Sequence, residues 1–105
     1  MRTNISIDIE KIRAFCQKWQ ITEFSLFGSV LRDDFHAKSD VDVLVTFAPA
    51  AKTTGLDWVM AEEELAIIFG RDVDLISRRG IEQSRNSLRR HEILSTAEVI
   101  YAEAA

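Results

Sequence analysis

Apolar and polar residues change their period several times along the chain, and each change marks an element. Over residues 8–20, Ile9, Ile12, Phe15, Cys16 and Trp19 recur at helical spacing, the stripe of an amphipathic helix with Asp8 as its N-cap. That stripe is core-facing, and Cys16 on it reads as a small buried apolar residue rather than a nucleophile. Residues 22–27 suit a short strand rich in β-formers and ended by Gly28, after which Ser29 to about Phe35 can make two helical turns. Residues 41–47 alternate: Val41, Val43, Val45 and Phe47 share one face, while Asp40, Asp42, Leu44 and Thr46 share the other. Residues 48–56 break the pattern and predict an exposed loop. From Asp57, as cap, to Phe69 a helix follows on Leu65, Ile68 and Phe69, ended by Gly70, with Glu62, Glu63 and Glu64 on its solvated side. Residues 71–77 predict a third strand, residues 81–95 one helix or a broken pair, and residues 97–101 a fourth, edge-like strand. The implied fold class is α/β, in the sense of an α+β two-layer domain, with a mixed sheet backed by helices.

The alternation over residues 41–47 has a physical logic. Directing Asp40 and Asp42 into the valine core would bury unpaired charge, so the valine face meets the helices and the carboxylates face out together. Two ionised carboxylates side by side repel, and a hard cation such as Mg²⁺ is the usual remedy. Upstream, an apolar run enters Gly28-Ser29, where the missing Cβ lets backbone approach a phosphate and the turn offers free N–H groups and a hydroxyl. Arg32, near the start of the expected helix, opposes the helix dipole and suggests an anionic partner, either phosphate or Asp33. Ser39 can support the carboxylate pair, and His36 and Lys38 face solvent in the connecting loop. If the third strand lies beside the second, Asp74 joins Asp40 and Asp42; Asp72 is its co-facial rival at the strand entrance. A phosphate cradle beside a dicarboxylate is equipment for metal-assisted phosphoryl or nucleotidyl transfer.

Gly28-Ser29, ten intervening residues, then Asp40-x-Asp42 resembles the signature of the polymerase-beta-type nucleotidyltransferases. The short chain and the Arg32-Asp33 and Ser39-Asp40 neighbours are similar to the minimal branch of that superfamily, the MNT proteins, which commonly act as antitoxins beside a HEPN-domain toxin. The resemblance implies a polymerase-beta-like sheet of about four strands and a third carboxylate in a motif like Val73-Asp74-Leu75. It further implies two Mg²⁺ ions held by Asp40, Asp42 and Asp74, a nucleotide held by Gly28, Ser29, Arg32 and Ser39, ATP as donor, and AMP transferred to a tyrosine hydroxyl of a HEPN toxin. A rival from another class is an antitoxin that neutralises its toxin by binding alone. A glycosyltransferase using Asp40-x-Asp42 is disfavoured by the spacing from Gly28-Ser29, and a P-loop enzyme by the lack of Gly-Lys-Ser/Thr after the turn. An EF-hand fails because Val45 stands where that loop needs glycine.

The 105 residues predict a single domain, with 47% hydrophobic and 29% charged residues, ordinary for a soluble globular protein. The net charge of −4 argues against non-specific nucleic-acid binding by the whole surface. No run approaches a membrane span, residues 1–6 lack a signal-peptide core, and one cysteine permits no internal disulfide, which together predict a cytoplasmic location. Charge is uneven: Arg71, Arg78, Arg79, Arg85, Arg89 and Arg90 crowd residues 71–90, serving either as a solvated face or as a contact for triphosphate or a partner's acidic surface.

Overall fold

The computed structural model describes residues 5–32, 35–36 and 38–103. Helix α1 (Ile9–Trp19) opens on Asp8, whose carboxylate accepts the Lys11 N–H, and closes at Gln20 in the left-handed conformation. Strand β1 (Ile21–Phe27) follows directly, then one 3-10 turn, Gly28–Leu31. Strand β2 (Val41–Phe47), helix α2 (Gly55–Phe69), strand β3 (Val73–Ser77), helices α3 (Arg78–Glu82) and α4 (Ser87–Thr96), and strand β4 (Glu98–Ala102) complete the order. Among the described residues no helix is long and apolar enough to cross a membrane.

The strands form one mixed sheet in the order β3-β2-β1-β4. Both β2 and β4 run antiparallel to β1, whereas β3 runs parallel to β2, as the helical crossover α2 between them requires. The alternation in β2 is realised as expected. Val41, Val43 and Val45 are buried with Ile12, Phe15 and Cys16 of α1 and Ala61 and Leu65 of α2. On the other face Leu44 packs with Phe27, Ile81 of α3 and Ile93 of α4, so short helices also cover part of the carboxylate face. Cys16 is fully buried and burial pushes its thiol up to about 12, which leaves it apolar filler. Ile9, at the edge of the α1 stripe, stays exposed.

Two helices have other bounds than expected, each for a local reason, and a third stretch takes one of its two expected forms. The helix expected from Ser29 to about Phe35 is a single turn: the Arg32 N–H bonds to the Ser29 carbonyl and Arg32 itself is extended. Residues 33 and 34, within that expected helix, lie outside the described residues, as does the Asp33 proposed as partner of Arg32. Helix α2 starts at Gly55, inside the expected loop, because Thr54 is its cap and Asp57 the third helical residue of a reciprocal capping box. The stretch 81–95 is the broken pair of the two forms expected, α3 and α4, with α3 beginning earlier, at Arg78; each is capped by its own polar side chain, Ser77 and Asn86.

Candidate active site

The pairing registers align three positions across the sheet. Phe27 pairs with Asp42 in the antiparallel ladder, and Asp42 pairs with Asp74 in the parallel one. Paired residues point to the same side, so Phe27, Asp42 and Asp74 form a row, and Asp40, two residues before Asp42, extends it. Asp72, two residues before Asp74, stands just ahead of β3, where its carbonyl accepts the Val41 N–H at 2.9 Å; the charges that act on Asp42 are those of Asp74 and Asp40. Asp40 and Asp74 are exposed, whereas Asp42 is half-buried.

Phe27 also sets the turn over this row. The next residue, Gly28, has φ +75°, and a Cβ built there would collide with the Asp42 carboxylate. Only glycine lets the chain leave β1 in the left-handed conformation while passing against that carboxylate. Gly28 and Ser29 then lie half-buried in the turn, with Gly28 against the acidic row, while Val30 is buried in the core.

Charge at Asp42 shows what the row lacks. Its pKa is raised to about 6, first by burial, then by the charges of Asp74 and Asp40; Arg32 and Arg89 pull it down, but not enough. Arg32 therefore acts on the site although the helix dipole that drew attention to it is missing. Arg89 was one of six arginines that sequence left undistinguished; α4, packed on this face through Ile93, carries it near Asp42. Nothing in the local sequence of α4 signals that placement.

The loop that delivers Asp40 is clamped by another of those arginines. Arg71 donates to the His36 carbonyl at 3.0 Å and to the Ser39 carbonyl at 3.1 Å, and its guanidinium stacks on Phe35 with 4.5 Å to the ring centroid. The Ser39 hydroxyl accepts the His36 N–H, so in this structure it shapes the loop. Arg78 is occupied by Glu23 and Glu82, and Arg90 by the Ser84 carbonyl. The acidic run of α2 is more engaged than a solvated side: Glu62 accepts the Leu75 N–H on the outer edge of β3, and Glu64 accepts from Lys18 and the Trp19 indole.

Among the described residues, no three acidic, histidine or cysteine side chains are gathered tightly enough to enclose a metal. The open row nevertheless fits Mg²⁺, which takes hard oxygen ligands, is bound through one or two carboxylates, and leaves other positions to water and substrate phosphates. A half-buried carboxylate raised by two like charges is the electrostatic counterpart of such a cation. A cavity of about 510 Å³ lies elsewhere, at the far ends of β2 and β3 against Phe47, Trp58 and Arg79.

Known proteins resemble this chain in sequence and fold. The family model for the nucleotidyltransferase domain matches residues 9–99. A Methanocaldococcus jannaschii protein named "putative protein adenylyltransferase" is 32% identical over 78 residues, covering 74% of this chain and 82% of that protein. A solved structure described as a "putative minimal nucleotidyltransferase" is 30% identical with a TM-score of 0.62, covering 88% of this chain and 95% of that one. A toxin–antitoxin complex with AMP-PNP contains a chain that superposes with a TM-score of 0.70 at 20% identity, covering 91% of this chain and 74% of that one.

Proposed function

This chain belongs to the nucleotidyltransferase domain family, and on that premise we propose that it is a cytoplasmic antitoxin that transfers AMP from ATP to a tyrosine hydroxyl of a HEPN toxin. The observation that carries the reading is the row of Asp42 and Asp74, extended by Asp40, under a turn that only Gly28 can make. The name of the M. jannaschii relative supports a protein acceptor, and the AMP-PNP complex supports an adenine nucleotide as donor.

In this reading Asp40, Asp42 and Asp74 would hold two Mg²⁺ ions. When bound, Mg²⁺ supplies charge neutralisation to the triphosphate and acidity to the incoming hydroxyl. The chain's own residues do the rest. N–H groups of the Gly28-Ser29 turn and the Ser29 hydroxyl receive the terminal phosphates, and Arg32 adds positive charge beside them. Asp74, the outermost carboxylate of the row, accepts the proton of the tyrosine hydroxyl as its oxygen bonds to the α-phosphorus. The bond from that phosphorus to the bridging oxygen breaks, and pyrophosphate leaves with the electron pair. No covalent intermediate with the protein is needed, so positioning and charge carry the rate.

The test is intact-mass measurement of any HEPN-domain protein encoded beside this chain, co-purified with it and given ATP and Mg²⁺. A gain of one or more AMP units is expected with the wild type and none with Asp42→Asn. An Asp42→Asn chain that transfers no AMP but still silences the toxin in cells would replace this reading with neutralisation by binding alone. Unchanged transfer by the variant would remove the carboxylate row from the chemistry.

A further inference from the structure

Helix α2 is apolar on two opposite sides. Its inner side, Ala61 and Leu65 with Trp58 and Phe69 beside them, packs on the valine face of the sheet. Its outer side exposes Leu56 (70%), Val59 (51%), Met60 (49%) and Ile67 (82%). At 3.6 residues per turn these four and Glu63 fall within roughly 100° of arc, centred opposite Leu65. Within the stripe, Leu56, Met60, Glu63 and Ile67 follow the alternating four- and three-residue spacing of a helix-packing seam. A surface helix normally has a polar outer side; one apolar all round has a second neighbour.

Charge says what that neighbour is. Helix α2 carries Asp57, Glu62, Glu63 and Glu64 and no lysine or arginine. Asp57 is used in the capping box, Glu62 on the β3 edge, and Glu64 by Lys18 and Trp19. Glu63, inside the stripe, is exposed and has no hydrogen-bond or ion-pair partner among the described residues. A second copy is a poor match. Parallel pairing of two such seams sets Glu63 against Glu63, and antiparallel pairing sets each Glu63 against Met60, so both bury carboxylates without a counter-ion. A bilayer surface fits no better, since interfacial helices flank their apolar side with lysine and arginine.

We propose that the outer stripe of α2 docks an amphipathic helix of a different protein, one with an apolar seam at the same spacing and an arginine or lysine that meets Glu63. Helix α2 and the carboxylate row lie on opposite faces of the sheet, so this surface holds a partner while leaving the row open. The inference is independent of the transfer reaction, and its test does not read that reaction.

The probes are two synthetic amphipathic helical peptides with leucines at the seam spacing and an arginine or, alternatively, a glutamate at the position facing Glu63. Fluorescence anisotropy titration of wild-type protein is expected to favour the arginine peptide at least about tenfold. Glu63→Arg reverses that preference, and Ile67→Glu weakens both peptides about tenfold; both positions are exposed, and circular dichroism confirms the fold. Failure of the arginine peptide to bind at millimolar concentration overturns the proposal, as does a preference unchanged by Glu63→Arg. So does a wild-type dimer in sedimentation equilibrium that Ile67→Glu dissolves, because the occupant would then be a second copy.

Discussion

Asp42 is a residue at odds with its own fold. Its ordinary pKa is near 3.8 and in the folded chain it rises to about 6. Between those values the native state binds more protons than the unfolded one, so stability falls as pH rises through the window and the loss is complete above it. Removing the charge should therefore stabilise: Asp42→Asn is expected to melt higher than wild type at pH 7.5 and nearly equally at about pH 3, below the window, by calorimetry. Added Mg²⁺ should raise the wild-type midpoint at pH 7.5 and leave the variant unmoved; a variant that melts lower than wild type at pH 7.5 would show that the carboxylate is satisfied within the chain. At this scale the sequence was informative where the period of a strand decides the geometry. Asp40 and Asp42 had to be co-facial, and Asp74 followed once its strand was placed alongside. The roles of Arg71 and Arg89 were not legible, because their partners come from elements distant in sequence.

Elements carry the site through their ends rather than their middles. The turn after β1, the entrance to β2 and the entrance to β3 meet at one end of the sheet, and Arg71, just ahead of β3, ties His36 and Ser39 to that end. Arg71→Lys keeps the charge but loses the planar fork that reaches two carbonyls and stacks on Phe35. Hydrogen exchange at residues 36 and 38–40 is expected to accelerate in that variant while α1 and α2 stay protected, and AMP transfer to fall about tenfold as Asp40 loses its fixed approach. Unchanged exchange in the loop would show that the clamp is dispensable. Element boundaries were readable wherever a cap was read in the right frame. Asp8 was; Thr54 was not, although Thr54-x-x-Asp57 spells a capping box, because Asp57 itself resembles a cap. The overlong helix after Gly28 has another cause. Residues 29–35 have acceptable helix propensity, but the turn closes with the Arg32 N–H on the Ser29 carbonyl and Arg32 is already extended, so the chain leaves the helical path there.

For the whole molecule, the sheet separates two packing regions with different consequences. The larger region, around Ile12, Phe15, Val43 and Leu65, lies away from the carboxylates. The smaller one, Phe27, Leu44, Ile81 and Ile93, shares their face and fixes α4, and with it Arg89, over the row. An alanine at Ile12 or at Ile93 should cost stability alike, about 2–5 kcal/mol from lost burial and the remaining cavity. Their effects on chemistry should differ. At a temperature where both variants remain folded by circular dichroism, Ile12→Ala is expected to keep near wild-type AMP transfer. Ile93→Ala loosens the seat of α4, withdraws Arg89 from Asp42 and moves the acidic limb of the pH–rate profile upward. The sign follows from the charge: the arginine favours the ionised carboxylate, so its retreat demands a higher pH to reach the same ionised fraction. Equal transfer rates and superimposable profiles in the two variants would mean that the helix on the carboxylate face only shields Leu44 from water and that Arg89 contributes nothing to the charge on which the row depends.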